Sequence, residues 1–225
     1  MILSLETSTK AGSVALHKDG KLIAYNELHL ENSHSGSLTP MIMGCLEMAD
    51  VTLNAIKAVA VACGPGSYTG LRIGASTAKG LCFGADIPLI GVGTLAAMAC
   101  QVNTFYTGID EKSILLCPMI DARRMEVYTA VYTTSLAEVV LPQAKIITKD
   151  SFTDLLDQHQ IIFFGNGAAK CATLISHKNA VFLSKEITPS AKEVGELGFK
   201  KFEAAIFEDI AYFEPNYLKD WQLQG

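Results

Sequence analysis

The 225-residue chain is short of charge. Asp, Glu, Lys and Arg supply 18% of it, where a globular protein carries about a quarter. No run of Lys or Arg occurs and the net charge is −5. The electrostatic footprint of a protein that grips nucleic acid unaided is therefore missing. Long apolar runs are missing too. A spanning helix needs about 20 largely uninterrupted apolar residues, and the best stretch, 87–102, is broken by Pro88, Gly91 and Gly93. The opening Met1-Ile2-Leu3-Ser4-Leu5-Glu6 has no basic segment and an early acid, unlike a secretory signal. Cys45, Cys63, Cys82, Cys100, Cys117 and Cys171 are scattered, mostly in apolar runs, without a C-x-x-C pair. Reduced core thiols in a cytoplasmic protein are the expectation. No G-x-S-x-G elbow occurs, and His29 and His34, the nearest histidine pair, are five apart where a helical zinc site wants four. No catalytic residue, metal ligand or cofactor is assigned.

Apolar residues are what the chain has: 49% of the total, enough for a core without staples at this length. The pattern opens with a short apolar run, 2–5, ending at Glu6. A second strand, 13–17, completes a hairpin, and 21–30 extends the meander after the turn signal Asp19-Gly20. A helix is expected over 35–48, capped by Ser35 or Ser37, with Pro40 still in its first turn. Leu38, Met41, Ile42, Cys45, Leu46 and Ala49 form one apolar stripe on it. Met43 and Met48 fall outside the middle of that stripe. A broad core face and a partner-facing surface both fit, since methionine suits either.

Residues 58–63 (AVAVAC) read as a buried strand leading into Gly64-Pro65-Gly66-Ser67-Tyr68-Thr69-Gly70 and a second helix carrying Arg72 near its start. A glycine-rich strand-to-helix turn favours an anion through unpaired amides and the helix dipole. Yet the Gly-Lys-Ser/Thr ending of a Walker loop is absent, and Gly66 to Gly70 is one residue too long for the dinucleotide fingerprint. Both a degenerate phosphate loop (Gly64, Gly66, Ser67, Thr69, Gly70, Arg72) and a plain tight turn remain open. Gly70, Gly74 and Ala78 recur every fourth position, a face that lets another helix approach closely.

A polar stretch, 103–112, marks a boundary, after which the order repeats. Residues 114–120 end at Asp121 and lead through a short link to a strand at 126–132. Later, 161–164 runs into Gly165-Asn166-Gly167 and a helix. Strand–acid–hairpin and strand–G-x-G–helix thus occur twice in one order, which points to a duplicated α/β unit. Glu6 and Asp121 end equivalent strands and suit either Mg²⁺ through water, general-base work or ordinary hairpin chemistry. Further helices are expected from Ser151-x-x-Asp154 and from the capping box Ser190-x-x-Glu193.

The string Gly64-Pro-Gly-Ser-Tyr-Thr-Gly-Leu-Arg-Ile-Gly74 closely resembles the signature of the TsaB (YeaZ) family. Ile2-Leu-Ser-Leu-Glu-Thr-Ser-Thr9, His34-Ser35 with Leu38 and Pro40, Asp121-Ala-Arg with Glu126-Val-Tyr128, and Pro215-x-Tyr217-Leu218 agree with it, so the resemblance spans nearly the whole chain. Two departures are Glu6, where the family usually has Asp, and Lys219 in place of Arg. The resemblance implies two similar α/β domains of the actin/Hsp70/sugar-kinase class around a cleft, here 1–102 and 103–225, with the tail from about 206 returning to the first. It implies a non-catalytic subunit that supports the catalytic protein TsaD, together with TsaE, in transferring threonylcarbamoyl to the tRNA adenosine beside the anticodon. tRNA is contacted only within that complex. TsaD's H-M-E-G-H metal motif is replaced here by Glu31-Asn-Ser-His-Ser35. The expected docking residues are Leu38, Met41, Ile42, Cys45, Gly70, Gly74 and Ala78, with Met43 and Met48 beside them, and a similar face is expected to pair two copies of the chain. The alternative is an ATP-binding or glycoprotease-like enzyme with its own activity.

Overall fold

The computed structural model describes residues 1–29, 34–105 and 113–219. Its first sheet contains β1 (Ile2–Glu6), β2 (Ala11–Lys18), β3 (Lys21–His29), β4 (Ala58–Ala62) and β5 (Leu89–Val92), in the order β3-β2-β1-β4-β5. β1 to β3 form an antiparallel meander, while β4 and β5 add in parallel. Asp19 and Gly20 both take positive φ, the backbone demanded by a two-residue hairpin turn matched to strand twist. Parallel pairing needs a crossover, and α2 (Tyr68–Ala85) supplies the one between β4 and β5.

β1, β4 and the edge strand β5 are buried along their whole length, so they read as continuous apolar runs. Side chains still alternate between the two faces. Leu3, Leu5, Val59 and Val61 join the core with α1 (His34–Met48) and α2. Ile2, Ala58, Ala60, Ile90 and Val92 face the other way, onto Val194 of α6 (Ala191–Glu203). Ser190 caps α6 by accepting from the Lys192 amide, 3.3 Å away. The helix sits close because two glycines permit it. A Cβ on Gly195 would collide with the His17 imidazole and come within 2.6 Å of Ser4 Oγ, and one on Gly198 would come within 2.7 Å of the Ala60 Cβ.

The second sheet contains β6 (Ile114–Asp121), β7 (Glu126–Thr133), β8 (Glu138–Ile146), β9 (Gln160–Phe164) and β10 (Ala180–Phe182), in the order β10-β9-β6-β7-β8. Position for position this is the first sheet's scheme, with antiparallel β6–β7 and β7–β8 and parallel β6–β9 and β9–β10. The duplicated unit read from the sequence is therefore real, and the fold is of the actin/Hsp70/sugar-kinase-like α/β class. Its helices α4 (Thr153–Leu156) and α5 (Ala168–Cys171) are single turns, and α3 (Thr94–Asn103) follows β5 in the chain.

Three local expectations change. Pro40 lies in the second turn of α1, since the helix already begins at His34. Ser151 does not cap α4; its hydroxyl accepts from the Thr148 amide, 2.9 Å away, and closes the preceding turn instead. The compact units are Met1–Ala97 with Pro189–Tyr217, and Met98–Thr188 with the stretch from Leu218 onward. The tail thus rejoins the first unit from residue 189 where about 206 was expected. The reason is α6, whose Ala191, Val194, Gly195 and Gly198 cover the second face of the first sheet. The six cysteines are free thiols. No helix among the described residues is long and apolar enough to cross a membrane.

Candidate functional site

The glycine segment after β4 is shaped by the turn that follows β1. Cβ atoms on Gly66 and Gly70 would be driven into the carbonyl oxygens of Ser8 and Thr7, and one on Gly74 into the Thr7 hydroxyl. Gly64 takes φ 110°, and a Cβ there would sit 2.7 Å from the Asn216 carbonyl. Only glycine lets backbone approach backbone this closely. The contact is cemented in both directions: the Ser67 amide donates to Ser8 O at 2.6 Å, and the Thr7 hydroxyl donates to Gly70 O at 2.7 Å. Ser67 caps α2 by accepting from the Gly70 amide at 3.3 Å. The amides of Ser67 and Gly70, which an anion would use, are thus engaged by the chain itself. Thr69 and Arg72 are exposed. Arg72 lies 4.4 Å over the Tyr68 ring, Tyr68 packs 4.8 Å from Tyr217, and Arg72 is hydrogen-bonded to Tyr217.

The two strand-end acids, alike in sequence, meet opposite surroundings. Glu6 is fully buried and accepts from the Ser8 amide, while its second oxygen has no hydrogen-bond partner among the described residues. Burial pushes its carboxyl up to about 7, against the opposing pull of the Ser8 and Thr7 contacts. Asp121 is exposed. Its partial burial favours the neutral form, but Lys170 at 2.5 Å and the Arg123 amide at 2.8 Å outweigh it and hold the carboxyl below its ordinary value. Lys170 also donates to Arg124 O and Glu126 O. It was missed in the sequence; the usable signal was its place one turn beyond Gly165-Asn166-Gly167. Among the described residues no cluster of three His, Cys, Asp or Glu could hold a metal ion. Residues 31–33 of the Glu31-Asn-Ser-His-Ser35 segment lie outside the described residues.

The expected docking residues are interior. Leu38, Met41, Ile42, Cys45 and Ala78 are buried core, and Gly70 and Gly74 are buried too. Their stripe faces the first sheet and shares one core with Leu3, Leu5, Val59 and Val61. What these helices turn outward is a different set. On α1 it is Met43, 60% exposed, and Met48, 63% exposed; on α2 it is Phe83, 83% exposed, while half-buried Ile73 and Leu81 pack against the core. Gly80 and Gly84 have open space where a Cβ would point. Ile73, Thr77, Gly80 and Gly84 share one helical face, so close approach is available there and not at positions 70, 74 and 78.

Comparison with known proteins agrees with this architecture. Residues 29–224 match the family described as TsaD, tRNA N6-adenosine threonylcarbamoyltransferase. The chain is 30% identical to the tRNA threonylcarbamoyladenosine biosynthesis protein TsaB of Bacillus subtilis, over 97% of this chain and 93% of that one. A Pseudomonas aeruginosa protein described as similar to peptidase YeaZ superposes with a TM-score of 0.84 at 25% identity, over 97% and 99% of the two chains. The activator of the 2-hydroxyisocaproyl-CoA dehydratase from Clostridium difficile shares the fold, with a TM-score of 0.51 at 9% identity over 91% and 96%. With the glycine segment, the repeated sheets and the full-length match together, the chain belongs to the TsaB (YeaZ) family of tRNA threonylcarbamoyladenosine biosynthesis proteins.

Proposed function

We propose that the chain is a non-catalytic subunit that docks TsaD, in an assembly with TsaE, and keeps it competent to transfer threonylcarbamoyl to tRNA. The observation that carries this reading is the outward face of α1 and α2. Met43, Met48 and Phe83 stand exposed beside two glycines with nothing in front of them. Isolated exposed apolar residues are ordinary, but a group on adjoining helices with room for close helix approach fits a protein partner. The same face suits pairing of two copies when TsaD is absent. tRNA enters through the assembled complex, in keeping with the net charge of −5.

The test is co-elution of purified chain and TsaD. Gly80→Arg fills the open space with a long cation and is expected to abolish co-elution while leaving the fold intact. An unchanged complex would reject this face. A charge at Ile42 or Gly74 would test only folding, since both are interior. The competing reading is an enzyme with its own ATP-binding or glycoprotease-like activity, favoured by the peptidase description of the Pseudomonas relative. It requires turnover of ATP·Mg²⁺ or cleavage of a protein by the isolated chain, which phosphate-release and cleavage assays measure directly. Against it stands the engagement of the glycine-segment amides by Ser8 and Ser67.

A further inference from the structure

On α2, the face that ends at Phe83 carries a different chemistry nearer the start of the helix. Arg72, Ser76 and Lys79 follow one another at four- and three-residue spacing, so they share a face, with the two cations about 10 Å apart along the helix axis. All three line one depression of about 150 Å³, closed on its far side by Phe213, Glu214 and Tyr217 of the returning tail. This is smaller than the roughly 300–1,000 Å³ that houses a whole small molecule. It suits one functional group of a larger ligand.

Both cations in it are anchored by neutral groups. Arg72 is held against the Tyr68 ring and hydrogen-bonded to Tyr217. Lys79 donates to Ala211 O at 3.2 Å and to Phe213 O at 3.1 Å, which leaves the third proton of its ammonium. Neither cation has a carboxylate within ion-pair distance among the described residues. Glu214 contributes the opposing charge to the lining; it is exposed and forms no close ion pair, but its charge acts on Arg72 and competes with an anion there. Two anchored, unpaired cations flanking a hydroxyl, in a chain whose net charge is negative, form a cradle for a compact anion.

We infer that this depression binds a phosphate group, carried by a nucleotide or by an RNA backbone. Arg72 and Lys79 supply the charge and Ser76 a hydroxyl donor. This site takes Arg72 from the residues of the glycine-segment reading but uses none of that segment's backbone amides, and its failure would leave the partner-subunit reading untouched.

The experiment is an NMR titration of the full chain with inorganic phosphate at constant ionic strength. Saturable shifts are expected in the amides of residues 72–79 and of Phe213, Glu214, Asn216 and Tyr217. Arg72→Gln and Lys79→Met should each weaken binding about tenfold, the loss of one charge-assisted contact, and Glu214→Gln should tighten it. Lys200→Met, an exposed lysine on α6, should change nothing. ATP and an anticodon stem-loop RNA form the remaining arms. The one that displaces phosphate and binds more tightly than it does identifies the source. Shifts that do not saturate, binding indifferent to both cation variants, or no tighter binding by either phosphorylated ligand overturns the proposal.

Discussion

Replacing Glu6 with glutamine should make the protein less sensitive to alkaline pH. In the folded chain the carboxyl titrates near 7, where an ordinary glutamate titrates at 4.5. Because the folded state holds the proton more tightly, this group's contribution to stability is complete below the ordinary value and is lost as pH rises through 7. At about 1.4 kcal/mol per pH unit, the loss reaches about 3 kcal/mol once Glu6 is ionised in place. About three-quarters of it, roughly 2–3 kcal/mol, falls between about pH 5 and about pH 8. Glutamine has no such titration. Its amide protons meet the same partnerless position as the second Glu6 oxygen, at a cost of about 1–3 kcal/mol that does not vary with pH. Melting wild type and Glu6→Gln side by side across this range isolates the titrating part. At about 2–4 °C per kcal/mol for a chain of this size, the gap between the two melting temperatures should move by about 5–10 °C in the variant's favour from acid to alkaline conditions. A gap that stays constant, or moves the other way, refutes the burial argument.

Gly70→Ala drives a Cβ into the Thr7 carbonyl, backbone against backbone, and should destabilise by about 3 kcal/mol or more. Gly84→Ala, with open space before it, should be neutral or gain up to about 1 kcal/mol from helix propensity; urea melts of the two measure the contrast. His17 shows the opposite pH sign to Glu6. Burial under α6 lowers its imidazole below its ordinary 6.5, against the raising influence of Glu196 and the Lys192 backbone. The unfolded chain therefore binds the extra proton, and stability falls as pH drops below that value. His17→Gln should flatten this acid limb in thermal melts, and limbs of equal slope in variant and wild type would contradict the assignment.

Much of the architecture was legible because it rests on period and punctuation. Alternation and apolar runs gave the strands, Asp19-Gly20 the hairpin, and the repeated strand–acid and strand–G-x-G order the duplicated sheets. Long-range packing was less legible. The stripe from Leu38 to Cys45 is equally apolar whether it meets a sheet or a partner, and only the core it shares with Leu3, Leu5, Val59 and Val61 decides the matter. Likewise, small residues at 70, 74 and 78 announce a close neighbour without saying that it is the chain's own Thr7. Helix α6 is amphipathic wherever it docks. Its return to the first sheet depends on Gly195 fitting over His17, and the closure entropy of so long a loop grows only slowly with its length. Glu6 and Asp121 look interchangeable in sequence; they differ because Lys170 lies beside one and burial surrounds the other.

The central claim concerns the outward face of α1 and α2, and the affinity of TsaD for the wild-type chain against Gly80→Arg tests it most directly. The account predicts a stable complex for wild type and its loss in the variant, with both proteins melting alike. Equal affinity for the two would contradict it.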